Sequence, residues 1–257
     1  MSLYNIINTF YSEKPRVLKH SISSPELKGL KILHLSDIHG KTSVLKKILK
    51  IVIKKKLDYH LLLITGDLLN KSNQLNEIIE LMHNFSQNAR LFSCFVPGNN
   101  EKYKKYRKFY PKIMLELTKI NVEILCNRIV KLPFNDKQIT LCGIDDLMEG
   151  KPDILKIMQN VTFDKACSIL LCHVPSICFS PLFNQFSLVL SGHTHGGQIN
   201  PPFTGPLYLN VNVLPKNLCS GMHRLNSTYF HISRGIGTST VHFRLNSPPE
   251  ATLIEMV

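Results

Sequence analysis

Two rhythms of apolar and polar positions alternate along the chain. Residues 29–37 (GLKILHLSD), 59–67 (YHLLLITGD) and 91–99 (LFSCFVPGN) are short, nearly continuous apolar runs ending in Asp or Asn. Such runs read as strands buried on both faces. Between them the apolar spacing changes to every third or fourth position. Residues 42–56 read as a helix that Thr42 or Ser43 is placed to cap, and residues 71–89 as a second, through Leu75, Ile78, Ile79, Met82 and Phe85. This β-α-β-α-β order predicts a parallel sheet with helices on its faces. The second half is richer in strands, expected at 122–126, 138–144, 167–172, 187–191, 228–233, 240–244 and 250–255, with a helix at 152–159. Residues 200–226 carry Pro201, Pro202, Pro206 and Pro215 and read as a long irregular loop, a kind that often serves function. With no repeat and no linker, the pattern predicts a single α/β domain.

Composition adds a core and a sign. The 257 residues are 44% hydrophobic and 19% charged, which excludes a disordered chain. A formal net charge of +13 favours polyanionic partners: nucleic acid, anionic lipid surfaces or nucleotides. No run of about 18 apolar residues occurs, so no transmembrane helix is expected, and the N-terminus lacks the pattern of a signal peptide. Leu3, Ile6, Ile7 and Phe10 are spaced as one amphipathic helical turn. Seven cysteines without a CxxC pair fit reduced thiols in a cytoplasmic protein better than a disulfide scaffold.

The chemistry stands where the strands end. Asp37-Ile38-His39 closes the first, Gly66-Asp67 the second and Gly98-Asn99-Asn100-Glu101 the third. His173 follows the strand at 167–172, and Gly192-His193-Thr194-His195-Gly196-Gly197 the one at 187–191. Ligands of open α/β sheets bind outside the carboxyl ends of strands, so these side chains are expected in one cleft. Residues i and i+2 of an extended segment face one side, which would let Asp37 with His39, and His193 with His195, each grip one centre. Glycines at 40, 66, 98, 192, 196 and 197 permit tight turns and close backbone approach. Oxygen and imidazole donors without cysteine suit Mn, Fe, Zn or Co. Taken singly, DxH, GD and GN are weak signals; five in this order, each after a strand-like run, are not. His34, His231 and His242 sit in strand patterns and read as core histidines.

With DIH, GD, GNN, H and GHTH in this order over residues 37–195, the chain resembles the calcineurin-like metallophosphoesterase family. GIDD (143–146), GHTHGGQI (192–199) and SRGIGTS…PPE (233–250) resemble a bacterial, membrane-associated subgroup. That subgroup includes an enzyme cleaving UDP-2,3-diacylglucosamine in lipid A synthesis. The resemblance implies a four-layer α-β-β-α sandwich over residues 29–257, preceded by an N-terminal extension, 1–28. It implies two divalent metal ions, Mn, Fe or Zn. Asp37, His39, Asp67 and His195 would hold one; Asp67, Asn99, His173 and His193 would hold the other, with Asp67 bridging. It implies hydrolysis of a phosphodiester or pyrophosphate bond by a hydroxide formed between the metals.

One position departs from the family. Asn100 stands where a histidine usually stabilises the transition state or protonates the leaving group; an amide donates a hydrogen bond but no proton. Arg234 is the candidate phosphate clamp. The run 102–110 interleaves Lys, Arg, Tyr and Phe, suiting an anionic headgroup surface, and the 200–215 loop, with Phe203, Leu207, Tyr208 and Leu209, could line an apolar substrate. The family resemblance makes a nucleotide-linked lipid at the inner membrane face the leading substrate reading, and nucleic acid is disfavoured. The alternatives are a nuclease of the same chemistry and a catalytically silent interaction module.

Overall fold

A computed structural model describes residues 14–159, 164–207, 209 and 214–257. The amphipathic turn expected within residues 3–10, and Tyr208, lie outside them. Twelve strands in the described residues form two six-stranded sheets. In chain order they are β1 (Arg16–Ile22), β2 (Lys31–Ser36), β3 (Tyr59–Thr65), β4 (Ala89–Val96), β5 (Glu123–Ile124) and β6 (Arg128–Phe134), then β7 (Lys137–Gly143), β8 (Ser168–Leu171), β9 (Leu188–Ser191), β10 (Gly221–Leu225), β11 (Thr228–Ile232) and β12 (Glu250–Met256). The first sheet runs β1-β12-β2-β3-β4-β5 and the second β10-β11-β9-β8-β7-β6. β2, β3, β4 and β5 are parallel, as are β7, β8, β9 and β11.

The layers follow from which side of each strand is apolar. On β2, Leu33 and Leu35 face outward onto α1 (Thr42–Lys54) and α2 (Leu75–Gln87), through Leu45, Ile48 and Val52 of the first and Ile78, Met82 and Phe85 of the second. Ile32 faces inward with Leu61, Leu63 and Val96, against Leu141, Ile169, Leu171 and Leu190 of the second sheet. A third cluster covers the outer face of that sheet with Ile157, Ile177, Phe183 and Phe186. Two sheets between two helical layers make the four-layer α/β sandwich. Each buried aliphatic side chain contributes roughly 1.5–3 kcal/mol relative to exposure, so a Phe85→Ala truncation at the centre of the outer layer costs about 3–5 kcal/mol.

Several elements differ from the sequence pattern. Residues 240–244 are not a strand: Gln198 Nε2 donates to the carbonyls of Val241 and Phe243, and Arg244 is buried, so this stretch is held by side chains rather than a ladder. β1, β6 and β10 were not expected. Each is a sheet edge, and their mostly half-buried residues lack a continuous apolar run. β1 pairs in parallel with β12 along its whole length, so residues 16–22 belong to the first sheet. Thr42 opens α1 as its first residue, and no side chain caps that helix. Helices α3 (Asn99–Lys102), α4 (Tyr110–Lys119) and α5 (Ile154–Gln159) complete the α-helices among the described residues. All seven cysteines are free and four are buried.

Candidate metal centre

The carboxyl ends of β2, β3 and β4 meet those of β8 and β9 at one rim of the sandwich. Asp37, His39, Asp67, His173, His193 and His195 are all buried there, none more than 4% exposed. Asn99 and Asn100 are half-buried at the mouth. The rim is built from left-handed backbone. Asp37 (φ 49°), His39 (48°), Asp67 (57°), His193 (69°) and His195 (52°) all have positive φ. This corrects the expectation of extended pairs: Asp37 and His39, like His193 and His195, converge because the chain turns sharply at both. Each non-glycine residue in this region costs on the order of 1 kcal/mol, and such strain collects at functional sites. Gly192 lacks positive φ but is needed for space, since a Cβ there would collide with Ser36 Oγ and the Asp37 carboxylate.

The ligand atoms face one another. Asp37 Oδ1 lies 3.8 Å from His39 Nε2, 4.0 Å from His173 Nε2 and 3.5 Å from His195 Nε2. Asp67 divides its oxygens, Oδ2 at 3.4 Å from His39 Nε2 and Oδ1 at 3.6 Å from His173 Nε2. His39 Nε2 and His195 Nε2 are 3.1 Å apart. Asn99 Oδ1 lies 3.1 Å from His173 Nε2 and 2.8 Å from His193 Nδ1. Two groups of three thereby form, Asp37–His39–His195 and Asp37–Asp67–His173, and each is compact enough to hold a cation. Asp37 is common to both groups, while Asp67 spans them with its two oxygens.

Partners behind the ring set the tautomers. His173 Nδ1 lies 2.7 Å from the Thr65 carbonyl, which only accepts, so Nδ1–H donates and the Nε2 lone pair turns inward. His39 Nδ1 does the same toward Asn70 Oδ1 at 2.8 Å. Burial opposes every charge here. Even so, the histidines around Asp37 hold its carboxyl well below the usual range. Against the same burial, Asp67 and Asp37 raise His173 to about 9, and both carboxylates raise His39. Burial, with His173 nearby, lowers His193 to about 4, and burial with His39 and Arg244 lowers His195 well below its ordinary value. Two carboxylates set among imidazoles whose ring nitrogens face inward suit divalent cations, which displace the imidazole protons on binding.

The family model for calcineurin-like phosphoesterases matches residues 30–197, which hold every candidate ligand. The chain belongs to that family. This calcineurin-like phosphoesterase is therefore a metal-dependent phosphoester hydrolase. It is 29% identical to the uncharacterized metallophosphoesterase YkuE of Bacillus subtilis, over 93% of this chain and 83% of that one. It is 27% identical to the phosphodiesterase YaeI of Escherichia coli, over 88% of this chain and 82% of that one. The fold matches the crystal structure of TT1561 from Thermus thermophilus with a TM-score of 0.50 and 13% identity, covering 81% of this chain and 91% of that one. Among the described residues, no helix is long and apolar enough to cross a membrane.

Asn100 and Arg234, both expected at the site, engage neighbouring side chains. The Asn100 Nδ2 group donates to Asn70 Oδ1 (2.9 Å) and lies 3.0 Å from His39 Nδ1, so its amide engages the layer behind His39. Arg234 pairs with Glu250 at 2.7 Å, which offsets its charge locally. Two further residues, to which the sequence pattern assigns no role, support the site. Glu101, 2% exposed, accepts from the main-chain N–H groups of Asp67, Leu68 and Gly98 at 2.8, 2.7 and 2.9 Å, clamping the two loops that carry Asp67 and Asn99. Its carboxyl is pushed up to about 7 by burial and by Asp67. Arg244, 3% exposed, donates to the Arg234, Gly237 and Ser247 carbonyls and reaches His195 Nδ1 at 3.2 Å. Glu101's position three residues after Gly98, at the start of α3, was a readable helix-start signal; Arg244 offered none.

Proposed function

We propose that this phosphoesterase cleaves the pyrophosphate or an activated phosphodiester bond of a nucleotide-linked lipid, using two divalent ions. The observation that carries the reading is the pair of carboxylates set among four inward-facing histidines. Asp37, His39, Asp67 and His195 would hold one ion, and Asp67, Asn99, His173 and His193 the other, with Asp67 shared. Mn, Fe or Zn suits this donor set. Such ions, when bound, supply a hydroxide nucleophile at neutral pH and offset the charge of the phosphoryl oxygens. The chain's own contribution is orientation: Thr65 and Asn70 fix the His173 and His39 rings, and Glu101 fixes the Asp67 loop.

The lipid part rests on the surface beside His195. A groove of about 460 Å³ there is lined by Thr194, His195, Gln198, Ile199, Leu207 and Val241. Apolar walls against a phosphoryl site suit an amphiphilic substrate. Lys104, Lys105, Arg107 and Lys108 are exposed and supply cations for an anionic bilayer surface beside the exposed Tyr103, whereas Lys102 is tied to Asp145 at 2.8 Å. Asn100 bears on the bond type: without a proton donor, weakly basic leaving groups such as phosphate or aryl oxide are favoured over alkoxides. The test is a Mn²⁺ activity screen of a nucleotide-linked lipid, an aryl diester, an alkyl diester and an oligonucleotide. The proposal expects that order of kcat/KM; preference for the oligonucleotide would overturn it.

A further inference from the structure

A file of hydrogen-bonded polar side chains runs through the largely apolar layer between the sheets. His34 and Ser36 of β2, Thr65 of β3 and His231 of β11 are all fully buried. Ser36 Oγ donates to Asp37 Oδ2 at 2.6 Å, and Thr65 Oγ1 donates to Ser36 Oγ at 2.8 Å. His34 Nε2 lies 2.8 Å from Thr65 Oγ1, and His34 Nδ1 lies 2.9 Å from His231 Nδ1.

The proton positions follow from what each atom is able to do. An ionised Asp37 only accepts, as does the Thr65 carbonyl, the other acceptor within reach of Ser36 Oγ (2.8 Å). The shorter contact, to the charged Asp37 Oδ2, takes the single Ser36 proton, and Thr65 must donate to Ser36. Thr65 Oγ1 then accepts from His34 Nε2–H. Burial holds His34 and His231 neutral, His34 down to about 3. A neutral His34 protonated on Nε2 presents a lone pair at Nδ1, so His231 Nδ1–H donates. Every donor in the file points toward Asp37.

We infer that His231, His34, Thr65 and Ser36 form a one-directional hydrogen-bond relay that orients Asp37, with His34 and His231 as positioning residues drawn from both sheets. The inference rests on the metal reading of Asp37. The relay holds Oδ2, and the His193 main-chain N–H is shared between Oδ2 (3.0 Å) and Oδ1 (3.2 Å), with Oδ1 turned toward the three histidines. Aligned bonds in a low-dielectric layer strengthen one another, and partners behind a ligand tune its hold on a metal. The relay also joins β11, whose neighbour β9 leads into the His193 turn, to the first sheet. Its far end is costly: His231 Nε2 is buried with no hydrogen-bond partner among the described residues, where an aliphatic side chain would leave nothing unsatisfied.

Two measurements test this. In metal-free wild-type protein, ¹⁵N-edited NMR of the imidazoles should show the Nε2–H tautomer for His34 and Nδ1–H for His231; the reverse tautomers would overturn the relay. The second is a Mn²⁺ binding titration of Ser36→Ala, His231→Phe, the double variant and His231→Asn, whose amide keeps a donor near the Nδ1 position. Each of the first two should weaken one of the bound ions about 10-fold. The double variant should also lose about 10-fold, because a broken chain has nothing further to lose, and His231→Asn should restore affinity. Independent losses multiplying to about 100-fold, or lowered thermal stability with unchanged Mn²⁺ affinity, mean separate packing roles and no relay. If the wild type itself takes up no metal, the metal reading fails and the relay's purpose with it, even where the tautomers are as expected.

Discussion

Glu101→Gln isolates the clamp that holds the centre's two loops together. Its carboxylate accepts three buried main-chain N–H groups, those of Asp67 and Gly98 on Oε2 and that of Leu68 on Oε1. A glutamine side chain has one acceptor oxygen. In its better orientation the amide oxygen keeps Asp67 and Gly98, and its NH₂ group meets the Leu68 N–H, donor against donor. One charge-assisted bond is lost and one buried donor is orphaned, a loss of about 3 kcal/mol. For a chain of this size, about 2–4 °C per kcal/mol gives a Tm drop of about 6–12 °C. The substitution also removes a carboxylate that burial and Asp67 push up to about 7, so a measurement at pH 8, where that group is ionised, reads the net effect. Calorimetry of metal-stripped protein should show the drop. Mn²⁺ titration should show affinity weakened by 10-fold or more, because Asp67 moves with its loop. A Tm within about 2 °C of wild type, below the shift expected for 1 kcal/mol, together with unchanged Mn²⁺ affinity, would falsify the clamp.

The remaining predictions are more direct. Asp67→Ala should abolish turnover and the binding of both ions, since its two oxygens face the two groups of ligands; elemental analysis of dialysed protein checks it. Asn100→His should raise kcat/KM for alkyl diesters more than for aryl diesters, and equal gains would refute the leaving-group argument. Metal-free protein should lose stability as pH falls below 6.5. His34 is held down to about 3 in the fold, so the unfolded chain takes up its proton first, an effect of up to about 5 kcal/mol between pH 6.5 and 3. Urea unfolding across that range checks it, and His34→Gln should flatten the slope. Vesicles with anionic lipid should sediment the protein at low salt and release it at high salt, while Lys104→Glu with Lys105→Glu should weaken recruitment; indifference to lipid charge would retire the membrane reading.

Much of the centre was legible in the sequence because its donors follow strands. A buried parallel strand reads as an apolar run, and what comes next in the chain lies at the sheet's rim, so Asp37, Asp67, Asn99, His173 and His193 could be placed together without coordinates. The helices α1 and α2 were equally plain, since their one-sided apolar spacing is a local property. The edge strands β1, β6 and β10 were not, because an edge is defined by its neighbour rather than by its own residues. Nor could spacing show that the paired ligands converge through left-handed turns. Glu101 and Arg244 act on loops that only the fold brings within reach. His34 and His231, 197 residues apart, read as core histidines one at a time. They became a path to Asp37 only when two sheets were laid face to face, because a hydrogen bond requires atoms within about 3 Å, and chain order says nothing about that distance.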